Sequence, residues 1–175
     1  MKIVFLVGMP GVGKTYFGKG AAVKLGVSFI DLDNEIEERY QTTIASIFET
    51  KGESKFRTIE LETIKQLLTE CKKDTIIATG GGTPCFNNTM ELLNQNGITV
   101  WLDTRIEDLY FNIIGDNSIR PLFGNTEKQE LMNKLSEMEA NRCQFYEQSE
   151  VKLTVYRGLS SDLFTKRLHL STFAK

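Results

Sequence analysis

Five consecutive apolar residues, Ile3-Val4-Phe5-Leu6-Val7, run directly into Gly8-Met9-Pro10-Gly11-Val12-Gly13-Lys14-Thr15, and this junction constrains the fold more than any other part of the chain. A continuous β-prone run ended by glycine is the pattern of a central strand covered on both faces. The following eight residues match G-x-x-x-x-G-K-[ST], and the pattern beyond them predicts a helix over 14–25. Glycines let backbone N–H groups converge on phosphate oxygens with no Cβ in the way. Lys14 reaches terminal phosphates, and the Thr15 hydroxyl suits Mg²⁺. Pro10 sets its own φ and biases Met9 toward extended backbone, which stiffens the loop. A bare glycine-rich turn is the simpler reading, but four fixed positions between a strand and a helix favour nucleoside triphosphate binding. The motif does not name the phosphate acceptor.

The rest of the chain repeats the strand–helix alternation. Strands are predicted at 28–30, 75–78, 98–102 and 151–155, and helices over 53–70, from 106 and from 127. Apolar positions Phe56, Ile59, Ile64 and Leu67 form a helical stripe in the first of these. Alternation of this kind implies an α/β fold with a parallel sheet, whose ligands sit beyond the carboxyl ends of the strands. At 175 residues, with no repeat, linker or low-complexity tract, the chain reads as one domain, 1–175.

Composition narrows the partners. A formal net charge of -2, from 21 Lys+Arg against 23 Asp+Glu, gives no basic field for a nucleic-acid backbone. Cys71, Cys85 and Cys143 are odd in number and form no C-x-x-C, which argues against a disulfide framework or a zinc site. The N-terminal apolar run is five residues long, too short for a signal peptide or a membrane span. A reduced, cytoplasmic protein is the expectation.

Several further residues carry possible chemistry. Asp31 and Asp33 follow the second strand two residues apart, so in extended backbone both carboxylates face one site. Asp31 then lies near Mg²⁺, and Asp33 orients an acceptor hydroxyl and can take its proton. Asp33 is equally readable as the N-cap of a helix over 34–39. Gly80-Gly81-Gly82 exposes consecutive N–H groups after a strand, as a binding floor or as a flexible loop, with Pro84 fixing its exit. Arg57 and Glu60 sit at i and i+3, either as an exposed ion pair or as a guanidinium held for a substrate carboxylate. Arg142, near the end of the last long helix, has the same ambiguity. Arg120-Pro121-Leu122 lies between Gly115 and Gly124, as a surface loop or as a lid at about 114–126 that brings one arginine to phosphates and excludes water. A guanine-reading Asn-Lys-x-Asp is missing, because the nearest string is Asn133-Lys134-Leu135-Ser136. A small kinase fits best.

Taken in order, the loop at 8–15, Asp31-Leu32-Asp33, Phe56-Arg57 with Glu60, Gly80-Gly81-Gly82, Arg120-Pro121-Leu122 and Asn141-Arg142 resemble shikimate kinase, a member of the nucleoside monophosphate kinase structural group. The resemblance spans about residues 1–155. It implies a three-layer P-loop kinase fold with a five-stranded parallel sheet in order 2-3-1-4-5. The activity implied is ATP-dependent phosphorylation of the shikimate 3-hydroxyl, with Mg²⁺, in a monomer. Carried over by motif, Gly11, Val12, Gly13, Lys14, Thr15, Tyr16 and Arg120 serve ATP, and Thr15 and Asp31 the metal. Asp33, Arg57, Gly80, Gly81, Gly82 and Arg142 hold shikimate, in a substrate-binding region at about 31–61. Lys14, Asp33 and Arg120 are the catalytic set.

Two stretches depart from the family. Many members place an arginine on adenine several residues before the lid Arg-Pro, where this chain reads Asn112-Ile113-Ile114. Arg157, in Tyr156-Arg157-Gly158-Leu159 after the fifth strand, is the candidate to cover the ring instead. Cys85 and Cys143 lie near site residues and receive no chemistry, since no basic cluster in the sequence lowers a thiol pKa. The competing readings are another small-metabolite kinase, gluconate kinase-like, and a non-catalytic ATP-binding protein.

Overall fold

The structure, a computed structural model, describes residues 1–115 and 127–174. Five parallel strands, β1 (Ile3–Val7), β2 (Ser28–Asp31), β3 (Thr75–Ala78), β4 (Ile98–Asp103) and β5 (Val151–Thr154), form one sheet in the order β2-β3-β1-β4-β5. The register pairs Phe5 with Ile77 on one side and with Thr99 on the other. β1 is therefore the central strand, and all five of its residues are buried.

Helices α1 (Lys14–Leu25), α2 (Leu32–Tyr40), α3 (Ile44–Glu70), α4 (Thr89–Asn96), α5 (Ile106–Gly115), α6 (Lys128–Tyr146) and α7 (Ser161–Thr172) accompany the sheet. α1 packs on α7 through Phe17 and Phe164, with ring centroids 4.6 Å apart. Sheet and helices enclose one core that runs from Ile3 to Leu168. Among the described residues no helix is long and apolar enough to cross a membrane.

Three departures from the sequence reading bear on the site. The helix after β2 begins at Leu32, so Asp33 lies in its first turn rather than in extended backbone. Its N-cap is Asp31, whose Oδ1 accepts from the amides of Asp33 at 3.1 Å and Asn34 at 3.4 Å. Capping therefore falls to Asp31, and the Asp33 carboxylate is left for the site.

The stripe expected over 53–70 extends backward to Ile44, capped by Thr43 Oγ1. Gly52, at φ 76 and ψ 168, interrupts it. Left-handed φ is cheap only for glycine, and here it lets two helical segments, 44–51 and 53–70, meet at an angle. Finally, Pro84 lies within a 3₁₀ turn, Thr83–Cys85, that returns the chain toward the sheet, and α4 and α7 are helices the periodicity did not single out.

Candidate active site

The loop after β1, the end of β2 and the loop after β3 all emerge at the carboxyl edge of the sheet. Lys14, only 8% exposed, opens α1 and folds back over the loop, donating to the carbonyls of Gly8 at 2.8 Å and Met9 at 2.9 Å. Burial lowers its pKa to about 8, against the pull of the Asp33 and Asp31 carboxylates. Val12 is buried, and Tyr16 lies exposed on α1. Thr15 Oγ1 donates to Asp31 Oδ2 at 2.6 Å, which brings together the two oxygens expected at a metal.

Asp33 stands beside the triple glycine. A Cβ on Gly80 would lie 3.1 Å from Asp33 Oδ1 and 3.2 Å from Glu60 Oε1. Burial first, then the charges of Asp31 and Glu60, raise the Asp33 carboxyl from 3.8 to about 6, with Lys14 pulling the other way. Gly81 abuts Pro10 of the phosphate loop, where a Cβ would meet the proline ring at 2.8 Å. Gly82 abuts the Arg57 guanidinium, where a Cβ would fall 2.6 Å from Nη2. A side chain at Gly82 would have to shift the end of that arginine, so glycine leaves the guanidinium in its place.

Arg57 and Glu60 are a buried pair, not an exposed one. Nη1 donates to Glu60 Oε2 at 2.6 Å, with side chains 10% and 3% exposed. Glu60 also accepts the Thr83 hydroxyl on Oε1 at 2.5 Å. The far edge of the guanidinium meets Glu53, and its face lies 4.3 Å from the Phe86 ring centroid. Arg142, on α6, is close enough for its charge to act on Lys14 and on Cys85. One turn later, Tyr146 is fully buried and donates to the Gly81 carbonyl at 2.6 Å. Burial raises the thiols of both Cys85 and Cys143, so neither is poised as a thiolate.

Arg157 is exposed, and its guanidinium lies 4.8 Å from the centroid of Phe111 on α5. The next residue, Asn112, donates to the Gly11 carbonyl at 2.9 Å, so this corner adjoins the phosphate loop. Arg120, with Pro121 and most of the expected lid, lies outside the described residues.

Sequence reasoning passed over Glu53, Thr83, Phe86, Phe111, Asn112 and Tyr146. Glu53 had a usable signal, four residues before Arg57, and Thr83 directly follows the triple glycine. The others had none, because each acts on a residue distant in the chain.

The arrangement can hold a polyphosphate on one side of Gly81 and an anionic, hydroxylated acceptor on the other. A family model for shikimate kinase matches residues 10–170. The shikimate kinase of Azobacteroides pseudotrichonymphae is 37% identical over 163 residues, covering 93% of this chain and 95% of that one. The crystal structure of shikimate kinase from Bacteroides thetaiotaomicron superposes with a TM-score of 0.90 at 33% identity, covering 97% of each chain. The enzyme from Acinetobacter baumannii, in complex with shikimate, gives 0.84 at 34% identity over 97% of this chain and 92% of its own. Matched over most of its length by this family model and by relatives more than 30% identical, the chain belongs to the shikimate kinase family.

Proposed function

We propose that this protein transfers the γ-phosphoryl group of ATP to the 3-hydroxyl of shikimate, giving shikimate 3-phosphate and ADP on the way to chorismate and the aromatic amino acids. The observation that carries the reading is the meeting, at Gly81, of a phosphate loop and a pocket built from Asp33, Arg57 and the triple-glycine backbone.

In this reading Lys14 exchanges the Gly8 and Met9 carbonyls for phosphate oxygens, within the loop Gly11 to Tyr16. Arg57, held by Glu60, and Arg142 bind the shikimate carboxylate. Asp33 and the backbone of Gly80, Gly81 and Gly82 hold the ring hydroxyls. Asp33 takes the proton of the 3-hydroxyl as its oxygen bonds to the γ-phosphorus and the bridging bond to ADP breaks. Arg120 brings charge to the transferring group from the lid, and Arg157 with Phe111 covers adenine.

Thr15 and Asp31 would hold Mg²⁺. A hydroxyl and a carboxylate are hard oxygen donors, suited to an ion that completes its shell with phosphate oxygens and water. Bound there, the ion neutralises phosphate charge; positioning and neutralisation dominate phosphoryl transfer. A one-domain monomer acting in the cytoplasm, with neither nucleic acid nor a membrane as partner, completes the proposal. The buried Arg57–Glu60 pair, with Asp33 and Arg142, favours shikimate over gluconate kinase-like chemistry, which has no need of this constellation.

A coupled assay of ADP release with shikimate and gluconate side by side tests the reading. Turnover with shikimate alone is expected. Turnover with neither would make this a non-catalytic ATP-binding protein.

A further inference from the structure

Arg57 carries two carboxylates, and they differ in what holds them. Glu60 is buried and also receives the Thr83 hydroxyl, so it is fixed in place. The Glu53 side chain is 55% exposed, and among the described residues Arg57 is its one polar partner. Glu53 Oε1 accepts from Arg57 Nη2 at 2.9 Å and from Nε at 3.3 Å. Those two nitrogens form the side-on edge of the guanidinium, an edge a free carboxylate engages as a fork. Glu53 also directly follows Gly52, where α3 is interrupted and where a Cβ would meet no atom within 4 Å.

The geometry points to Glu53 as a self-ligand of the arginine proposed to bind substrate: its carboxylate lies on the side-on edge of Arg57, and the substrate carboxylate takes that edge by displacing it. This rests on the reading of Arg57 as the carboxylate anchor. A pair with a half-exposed partner is weak, so displacement costs little affinity. A tethered carboxylate nevertheless competes at high effective concentration, so weakly held anions are kept off Arg57 while a ligand anchored at several points displaces it. Glu53 is thus a specificity determinant for the acceptor site.

Calorimetric titration of shikimate into the wild type, Glu53→Gln and Glu53→Asp tests this. Glu53→Asp keeps the charge but withdraws the carboxylate from Arg57. Both variants are expected to bind shikimate about two- to fivefold more tightly, the scale of a partly exposed ion pair. The methyl ester of shikimate, which lacks the ionic fork, should change by less than about twofold, as should ATP. Weaker shikimate binding in Glu53→Gln would make Glu53 a support that orients Arg57, overturning the self-ligand. Tightening in Glu53→Gln alone would assign the effect to charge rather than occupancy, with the same consequence. Failure of the wild type to bind or phosphorylate shikimate would overturn the function itself, whereas wild-type turnover without a gain in the variants overturns the self-ligand only.

Discussion

The Tyr146 hydroxyl and the Gly81 carbonyl, 65 residues apart in the chain, are joined by a 2.6 Å hydrogen bond. Pro10 of the phosphate loop packs against the same glycine. One buried phenol on α6 therefore anchors the point where the halves proposed to bind phosphate and acceptor touch. Burial pushes this phenol above its ordinary range, so it remains a donor at working pH.

Tyr146→Phe keeps the ring and leaves the Gly81 carbonyl without its donor. A buried group left unpaired costs about 1–3 kcal/mol, and each kcal/mol lowers Tm by about 2–4 °C in a chain of this size. Misplacing the floor should lower kcat/KM for shikimate by about tenfold while the KM for ATP moves less than about twofold. Thermal melts and steady-state kinetics check both, and an equal loss for the two substrates would assign Tyr146 to folding alone.

Asp33 links stability to pH. Its carboxyl rises from 3.8 to about 6 in the fold, chiefly through burial. A group that holds its proton more tightly when folded contributes stability that is complete below about pH 4 and is lost as pH climbs through 6. In metal-free buffer Asp33→Asn should therefore be more stable than wild type at pH 8, by on the order of 2 kcal/mol, and the gap should close by about pH 4. Turnover in the variant should fall by about 10²–10⁴, with ATP binding retained. Wild-type kcat in Asp33→Asn would remove Asp33 from the chemistry.

Asp31 caps α2 and is proposed to hold Mg²⁺, and one substitution separates the two. Asparagine caps helices about as well as aspartate, so Asp31→Asn should leave the Tm within about 2 °C of wild type. The loss of a hard anionic donor should raise the Mg²⁺ concentration for half-maximal rate by about tenfold or more. A Mg²⁺ titration of the initial rate decides this. An unchanged midpoint would leave Asp31 as a cap only.

Arg157 and Phe111 form the exposed stack proposed for adenine. Cation–π contacts at exposed sites are worth about 0.5–1 kcal/mol, so Arg157→Ala should raise the KM for ATP about two- to fivefold. The KM for shikimate should not move. No change with ATP would place adenine elsewhere.

Much of the framework was legible in the chain itself. β1, the phosphate loop and α1 occur where periodicity and spacing put them, because each is specified by dihedral preferences and hydrogen bonds over a few residues. The alternation of strands and helices likewise predicted a parallel sheet, which the structure has. Asp31 and Asp33 stand out together in the sequence, where extended backbone through both would turn them to one face. The helix that starts at Leu32 gives the cap to Asp31 and not to Asp33.

Sequence by itself determined the phosphate loop, the fold class and the ordered set of residues that resembles the family. Tertiary structure alone decided that the Arg57–Glu60 pair is buried, that Thr83 fixes Glu60 from 23 residues away and that Tyr146 anchors Gly81 from 65. The physical reason is range. Loops and helices arise from neighbours along the chain, whereas the strength of a charge, the pKa of a carboxyl and the freedom of an arginine depend on what folding brings against them and how much water it removes.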